Sequence, residues 1–201
     1  MKKKITLFFI AFLWFLNLNA QDTSKFFVVS GVGVINGQGI FGKSIKPSLG
    51  FNSGLELSFK RNLFGQVLVD FNSLNYSQQQ TDARSPLLFQ NTSATFISLS
   101  ANIGYNFKSD KTKWFGSLYV GAGYLNTGEP RVVLSSPSVV VQSTVRQSSI
   151  LGRTGFRVGY KTSSDFFQTL YFDASYWRSS ATIQGGKVQG ISILVGTRIV
   201  V

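Results

Sequence analysis

From Thr95 to Phe107 the chain reads as two interleaved sequences. Thr95, Ile97, Leu99, Ala101, Ile103, Tyr105 and Phe107 form an apolar set that ends in aromatics. Ser98, Ser100, Asn102, Gly104 and Asn106 are small or polar, with Phe96 the exception at their head. Side chains alternate faces along a strand, so this pattern predicts a β-strand with one greasy face and one wet face.

Seven more segments repeat the pattern. Phe26–Asn36 is apolar on both sides, with Phe26, Val28, Val32 and Val34 the preferred apolar face. In Leu49–Lys60, Leu49, Phe51, Leu55, Leu57 and Phe59 alternate with Gly50, Asn52, Gly54, Glu56 and Ser58. Leu63–Tyr76 sets Leu63, Val67, Val69 and Phe71 against Gln66, Asp70 and Asn72. Trp114–Leu125, Ile150–Lys161, Phe166–Trp177 and Val188–Val201 follow the same rule, with Arg153, Arg157, Asp173 and Arg198 on their polar faces. These make eight strands, and no helix is expected after residue 20. The connections alternate in length: 36–48, 77–94, 126–149 and 178–187 are long, whereas 61–62, 108–113 and 162–165 are short. In the longest, Val132–Leu134 and Val139–Val145 flank Ser135–Ser138, a pattern that suits either a projecting hairpin or an irregular loop.

The start of the chain reads differently. Lys2–Lys4 precede an apolar run, Ile5–Leu16, and a short polar exit ending at Ala20. That run is short for a membrane helix and fits a secretory signal, so residues 1–20 are expected to be cleaved and 21–201 to form one domain. Export makes nucleic acid an improbable partner for the excess of positive charge, 17 basic residues against 8 acidic once Lys2–Lys4 are removed.

Composition decides which way the greasy faces point. Charged residues are only 14% of the chain, against roughly 25% in a soluble globular protein. The polar faces carry mostly Gly, Ser and Asn rather than the Lys and Glu of a wet surface. Aromatics gather at the ends of the apolar faces: Phe59, Tyr105, Phe107, Trp114, Tyr160 and Phe166 at the short-turn end, Phe51, Phe71, Tyr124 and Tyr176 at the other. Two aromatic girdles around an aliphatic band match two lipid–water interfaces, and small polar side chains suit the crowded inside of an eight-stranded barrel.

On these strands, girdles and loop rhythm, Phe26–Val201 resembles the small eight-stranded outer-membrane barrels of the OmpX and OmpA transmembrane-domain type. The resemblance implies an antiparallel up-and-down transmembrane barrel with both termini periplasmic, outer-membrane lipid around it, and the barrel assembly machinery as a partner during biogenesis. Such barrels commonly end in an aromatic, where this chain has Val201. Their roles range from structural and adhesive to lipid-handling and enzymatic.

Candidate chemistry is sparse. Gly37–Ser44, GQGIFGKS, satisfies the phosphate-loop pattern GxxxxGK[ST], with Asp70 as a stand-in for the Mg²⁺-holding acid. The chemistry needs a helix that begins at the Lys-Ser, whereas here Pro47 follows at once, so the match is read as chance in a Gly-rich loop. With no His and no Cys, the chain lacks the usual general base, thiol nucleophile and metal ligands, so neither an enzyme nor a cofactor is expected. The inward set holds Glu56, Asp70 and Asp173 against Arg153, Arg157 and Arg198, and Lys60 lies near the rim. A tight lumen favours their pairing into a network that fills the barrel, and counting from a turn at 162–165 sets Asp173 opposite or diagonal to Arg153. The outward loops carry Lys43, Lys46, Arg84, Arg131, Arg146, Arg178 and Lys187 against Asp82 and Glu129, a charge balance suited to phosphate-bearing glycolipid. The expected function is structural or interactive. Its extracellular partner would be met by loop residues such as Leu87, Leu88, Phe89 and Val139–Val141. The alternative is a narrow transport path or a membrane part of a secretion system.

Overall fold

The computed structural model describes residues 25–59, 62–76, 80–81, 88–89, 93–108, 112–136, 139–163, 168–183 and 185–201. The expected signal peptide lies outside them, as do Lys60, Asp82, Arg84, Leu87 and Phe166. Eight long strands close a barrel: β1 (Lys25–Gly37), β2 (Ser48–Ser58), β3 (Leu63–Asn75), β6 (Ser93–Lys108), β7 (Trp114–Ser136), β8 (Val139–Lys161), β9 (Thr169–Ile183) and β10 (Gly186–Val200). Each pairs antiparallel with its neighbour along the chain, and β1 returns to β10 with Phe27 opposite Val200. A two-stranded hairpin, β4 (Gln80–Thr81) and β5 (Leu88–Phe89), sits in the connection between β3 and β6. Closure pairs every barrel strand on both sides, which is what a backbone in hydrocarbon needs.

The apolar sets point out. Ile97, Leu99, Ile103, Tyr105 and Phe107 of β6 are exposed, and Ser98, Ser100, Asn102 and Asn106 are buried. Leu49, Phe51 and Leu55 of β2, and Leu118, Val120 and Tyr124 of β7, share the outer surface. On β1 the outward apolar residues are Phe26, Val32 and Val34, with Val28 half-buried beside them. Between the girdle positions Trp114 and Tyr124, strand rise and a barrel tilt of about 45° give an apolar band roughly 25 Å tall, the height such barrels present to lipid.

Three connections differ from the sequence reading, and a fourth settles an open choice. The chain is not free of helix: α1 (Gly39–Ser44) forms one short turn-and-a-half in the first long connection. It ends at Lys43-Ser44 instead of beginning there, so the phosphate-loop pattern has no helix N-terminus at its lysine. The connection expected at 178–187 is mostly strand, since Gly186 pairs with Ile183 around Gly185, whose φ of +74° suits a residue without Cβ. In this stretch the pattern inverts: Arg178, Ser180 and Thr182 face water while Ser179, Ala181 and Ile183 face in. The turn expected at 162–165 is longer, because β9 starts to pair at Thr169 and Thr162 N–H donates to the Gln168 carbonyl at 3.0 Å. The flanks of the longest connection, left open between hairpin and irregular loop, pair as strands, with Val132 opposite Gln142 and Val133 opposite Val141.

Candidate functional site: the barrel interior and its mouth

The six inward charges named from the sequence all lie in one buried layer of the barrel. Period-two alternation brings each to the lumen from its strand: Glu56 on β2, Asp70 on β3, Arg153 and Arg157 on β8, Asp173 on β9, Arg198 on β10. Arg153 forms a two-pronged pair with Asp70, Nη1 to Oδ2 at 3.1 Å and Nη2 to Oδ1 at 2.9 Å. Ser98 Oγ donates to the same carboxylate at 2.6 Å. Arg157 donates through Nη1 to Glu56 Oε2 at 2.8 Å and through Nε to Asp173 Oδ2 at 3.3 Å. Arg198 closes the chain of charges on Glu56 Oε1. Three cations meet three anions, so the layer is neutral, the condition under which buried charge is tolerated.

One partner differs from the expectation. Asp173 stands opposite Arg157, not Arg153, whose register partner is Trp177. The longer turn before Thr169 slides β9 along β8, and Arg153 instead reaches across the barrel to Asp70. Tyrosines complete the layer: Tyr119 Oη donates to Asp173 Oδ1 at 2.8 Å, and Tyr171 Oη to the Ser30 carbonyl at 2.9 Å. The Arg157 guanidinium lies 4.3 Å from the Tyr171 ring centroid and that of Arg198 4.1 Å from Phe27, stacked over the ring faces. Glycine makes room for these rings. A Cβ at Gly155 would stand 2.5 Å from Tyr119 Cζ and Oη.

The interior is not polar throughout, as the sequence reading had it. Above the charged layer, Ile35, Leu74, Phe96, Leu125, Leu151, Trp177, Ile183 and Val188 form an apolar cluster on the inner wall. Phe41 of α1 enters this cluster from above and is fully buried. Its ring centroid is 5.8 Å from that of Phe96 and 6.4 Å from that of Trp177. A loop helix thus caps the mouth with one aromatic anchor. Trp177 Nε1 donates to Ser192 Oγ at 2.9 Å, so the buried indole keeps its polar handle satisfied.

Sequence reasoning missed this plug. Phe96 and Trp177 carried a signal, as aromatics on otherwise small, polar faces; Phe41 carried only an apolar pair, Ile40-Phe41, among glycines. Glu129 is also placed differently, since it is almost fully buried rather than on an outer loop. Of the loop cations, Lys43, Lys46, Arg146, Arg178 and Lys187 are exposed. Among the described residues no three metal-ligating side chains converge.

Past the barrel proper, β7 and β8 run on as a two-stranded ribbon. β6 stops pairing with β7 at Gly128; past the buried Glu129, Pro130–Ser136 pairs with β8 alone among the described residues. At the ribbon's root, Gln147 Nε2 donates to the Thr182 carbonyl at 3.1 Å and its Oε1 accepts from Thr182 N–H at 3.4 Å. The amide ties the ribbon to the tip of β9 as a backbone pair would.

No family model matches the sequence. No curated protein matches it either. Solved structures do. A major outer membrane protein from Thermus thermophilus superposes with a TM-score of 0.64 at 12% identity, over 90% of this chain and 100% of that one. Neisserial surface protein A, from Neisseria, superposes with a TM-score of 0.57 at 15% identity, over 89% of this chain and 99% of that one. At such identities the likeness shows the fold, and that fold is the small eight-stranded outer-membrane barrel.

Proposed function

We propose that this chain is an integral outer-membrane barrel, exported with both termini in the periplasm, whose closed body carries an extracellular arm for an external partner. It acts as a structural or interaction protein, without catalysis and without a cofactor. The observation that carries the reading is the combination of a filled interior with a ribbon that runs on past β6. The neutral charged layer and the Phe41–Phe96–Trp177 plug fill the lumen in series. The seven residues Pro130–Ser136 run on for about 24 Å at the usual strand rise, paired among the described residues with β8 alone. Among the described residues no strand pairs with the outer edge of Pro130–Ser136, and such an edge is the usual template for adding another strand. A transport path would need an opening through both layers.

The membrane reading has its own test. Val120 is exposed at mid-band, between Ile103 and Thr154. Val120→Arg is expected to destabilise the folded barrel by about 2–4 kcal/mol in reversible urea unfolding from lipid vesicles. A change below about 0.5 kcal/mol, normal for a water-exposed surface position, would remove lipid from that face.

The function is tested by two measurements on the full chain. Planar-bilayer recordings are expected to show no steady conductance. Pull-downs from intact native cells are expected to recover an external protein with the wild type and lose it when residues 131–144 are replaced by a two-residue turn. A stable open pore, or recovery that ignores the ribbon, contradicts the proposal.

A further inference from the structure

We infer that the outer wall at β2, β3 and β6 holds one phosphorylated glycolipid of the outer leaflet, with an acyl chain along Phe51, Phe71 and Ile97 and its phosphate on Lys46. The inference rests on the outer-membrane reading above. A groove of about 420 Å³ lies there, within the roughly 300–1,000 Å³ of small-molecule sites. Phe51, Phe71 and Ile97 are register neighbours on three adjacent strands and form its lower ledge. One step of two residues toward the loops, Ser73 pairs with Thr95. These small, exposed side chains leave the space and set two hydroxyls at its upper edge. Leu49 closes that edge on the β2 side.

Lys46 stands one step higher, and its direction follows from a bulge. Lys46 N–H donates to the Asn75 carbonyl at 2.8 Å and Ile45 bridges to Tyr76, whereas lower down Gly50 faces Asn72. Between those two points β2 advances five residues while β3 advances four. The extra residue falls in the Lys46–Ser48 segment, where Pro47 has no N–H to leave unpaired. Without it Lys46 would share the inward face of Ser48, two residues away. With it Ser48 is buried, Lys46 is exposed and its ammonium belongs to the outer surface.

From loop to mid-membrane the wall therefore presents a cation, then hydroxyl donors, then an aromatic–aliphatic ledge, each about 7 Å below the last. A phosphorylated, acylated lipid presents the complement in the same order: phosphate, ester or amide carbonyl, acyl chain. An uncharged lipid would leave the cation unused.

The test uses the full chain refolded into phosphatidylcholine vesicles containing a small fraction of bis-phosphorylated lipid A, then released in mild detergent for native mass spectrometry. Wild type is expected to retain one lipid A per barrel. Lys46→Glu and Phe71→Ala are each expected to lower retention about fivefold, the scale of losing one partly exposed charge contact. Leu118→Ala, lipid-facing on another wall, should leave retention unchanged. Equal retention of dephosphorylated lipid A, or of phosphatidylcholine, overturns the site and leaves the barrel in the membrane. A chain that inserts in no vesicle overturns the membrane reading and the site with it.

Discussion

Glu56→Leu is expected to destabilise the barrel by about 3–5 kcal/mol, the usual penalty for removing one partner of a buried ion pair. Glu56 is 1% exposed and is the anion on which two arginines, Arg157 and Arg198, converge. Its loss leaves three cations against two anions in a layer whose charged residues are all buried. Arg157 keeps Asp173, at 3.3 Å, so the stranded charge is Arg198, held then by Ser58 and by the Phe27 ring. Glu56→Leu combined with Arg198→Met restores neutrality and is expected to recover most of the loss, because well-packed apolar groups can replace a buried pair at little or no penalty. Guanidinium unfolding from detergent or vesicles measures both. A single variant within about 1 kcal/mol of wild type would mean that this layer is hydrated well enough to carry net charge.

Phe41→Ala should act on the mouth rather than on the barrel. Truncating a fully buried phenylalanine removes about 3–5 kcal/mol. A six-residue helix held mainly by that ring has nothing of similar size left to keep it docked. The expected result is a lid that opens while the strands stay paired. Because the chain has no cysteine, Ala94→Cys gives a unique reporter in the same buried cluster as Phe41. Labelling by a water-soluble thiol reagent is expected to rise on the order of a hundredfold in the Phe41→Ala background, as a 3 kcal/mol shift in opening implies. An unchanged rate would show that the backbone of the connection, not the ring, closes the mouth.

The outer surface was legible in the sequence because lipid tolerates few exceptions. A charged side chain facing hydrocarbon is costly toward the middle of the band, so Ile97, Leu99 and Ile103 repeat with no charge among them. The inner face has only to fill its volume with satisfied groups, and either Ser98 or Phe96 can do so. Hence the charged layer could be listed from its charges, whereas the apolar plug above it could not. The missed length of β9 has a related cause. Above the band the outside is water, so Arg178, Ser180 and Thr182 turn outward while Ala181 and Ile183 turn in. A search for apolar residues on the outer face ends at Tyr176 and takes the remainder for a loop. The misassigned partner of Asp173 came from a turn judged too short, since every pair on a hairpin inherits the register of its turn.

The order of the strands bears on how the ring is assembled. Seven of its eight seams join strands that follow one another along the chain, and such pairs can zip up locally. The eighth joins Phe27 to Val200, nearly the whole chain apart, and until it forms two long strands stand with open edges. Arg198 reaches over β1 to Glu56, and the Tyr171 hydroxyl on β9 reaches over β10 to Ser30 on β1. Neither contact exists in an unclosed sheet. These two contacts thus form a latch, engaged only by the final step of folding, and variants at Arg198 or Tyr171 should accumulate as open sheets that never complete the ring.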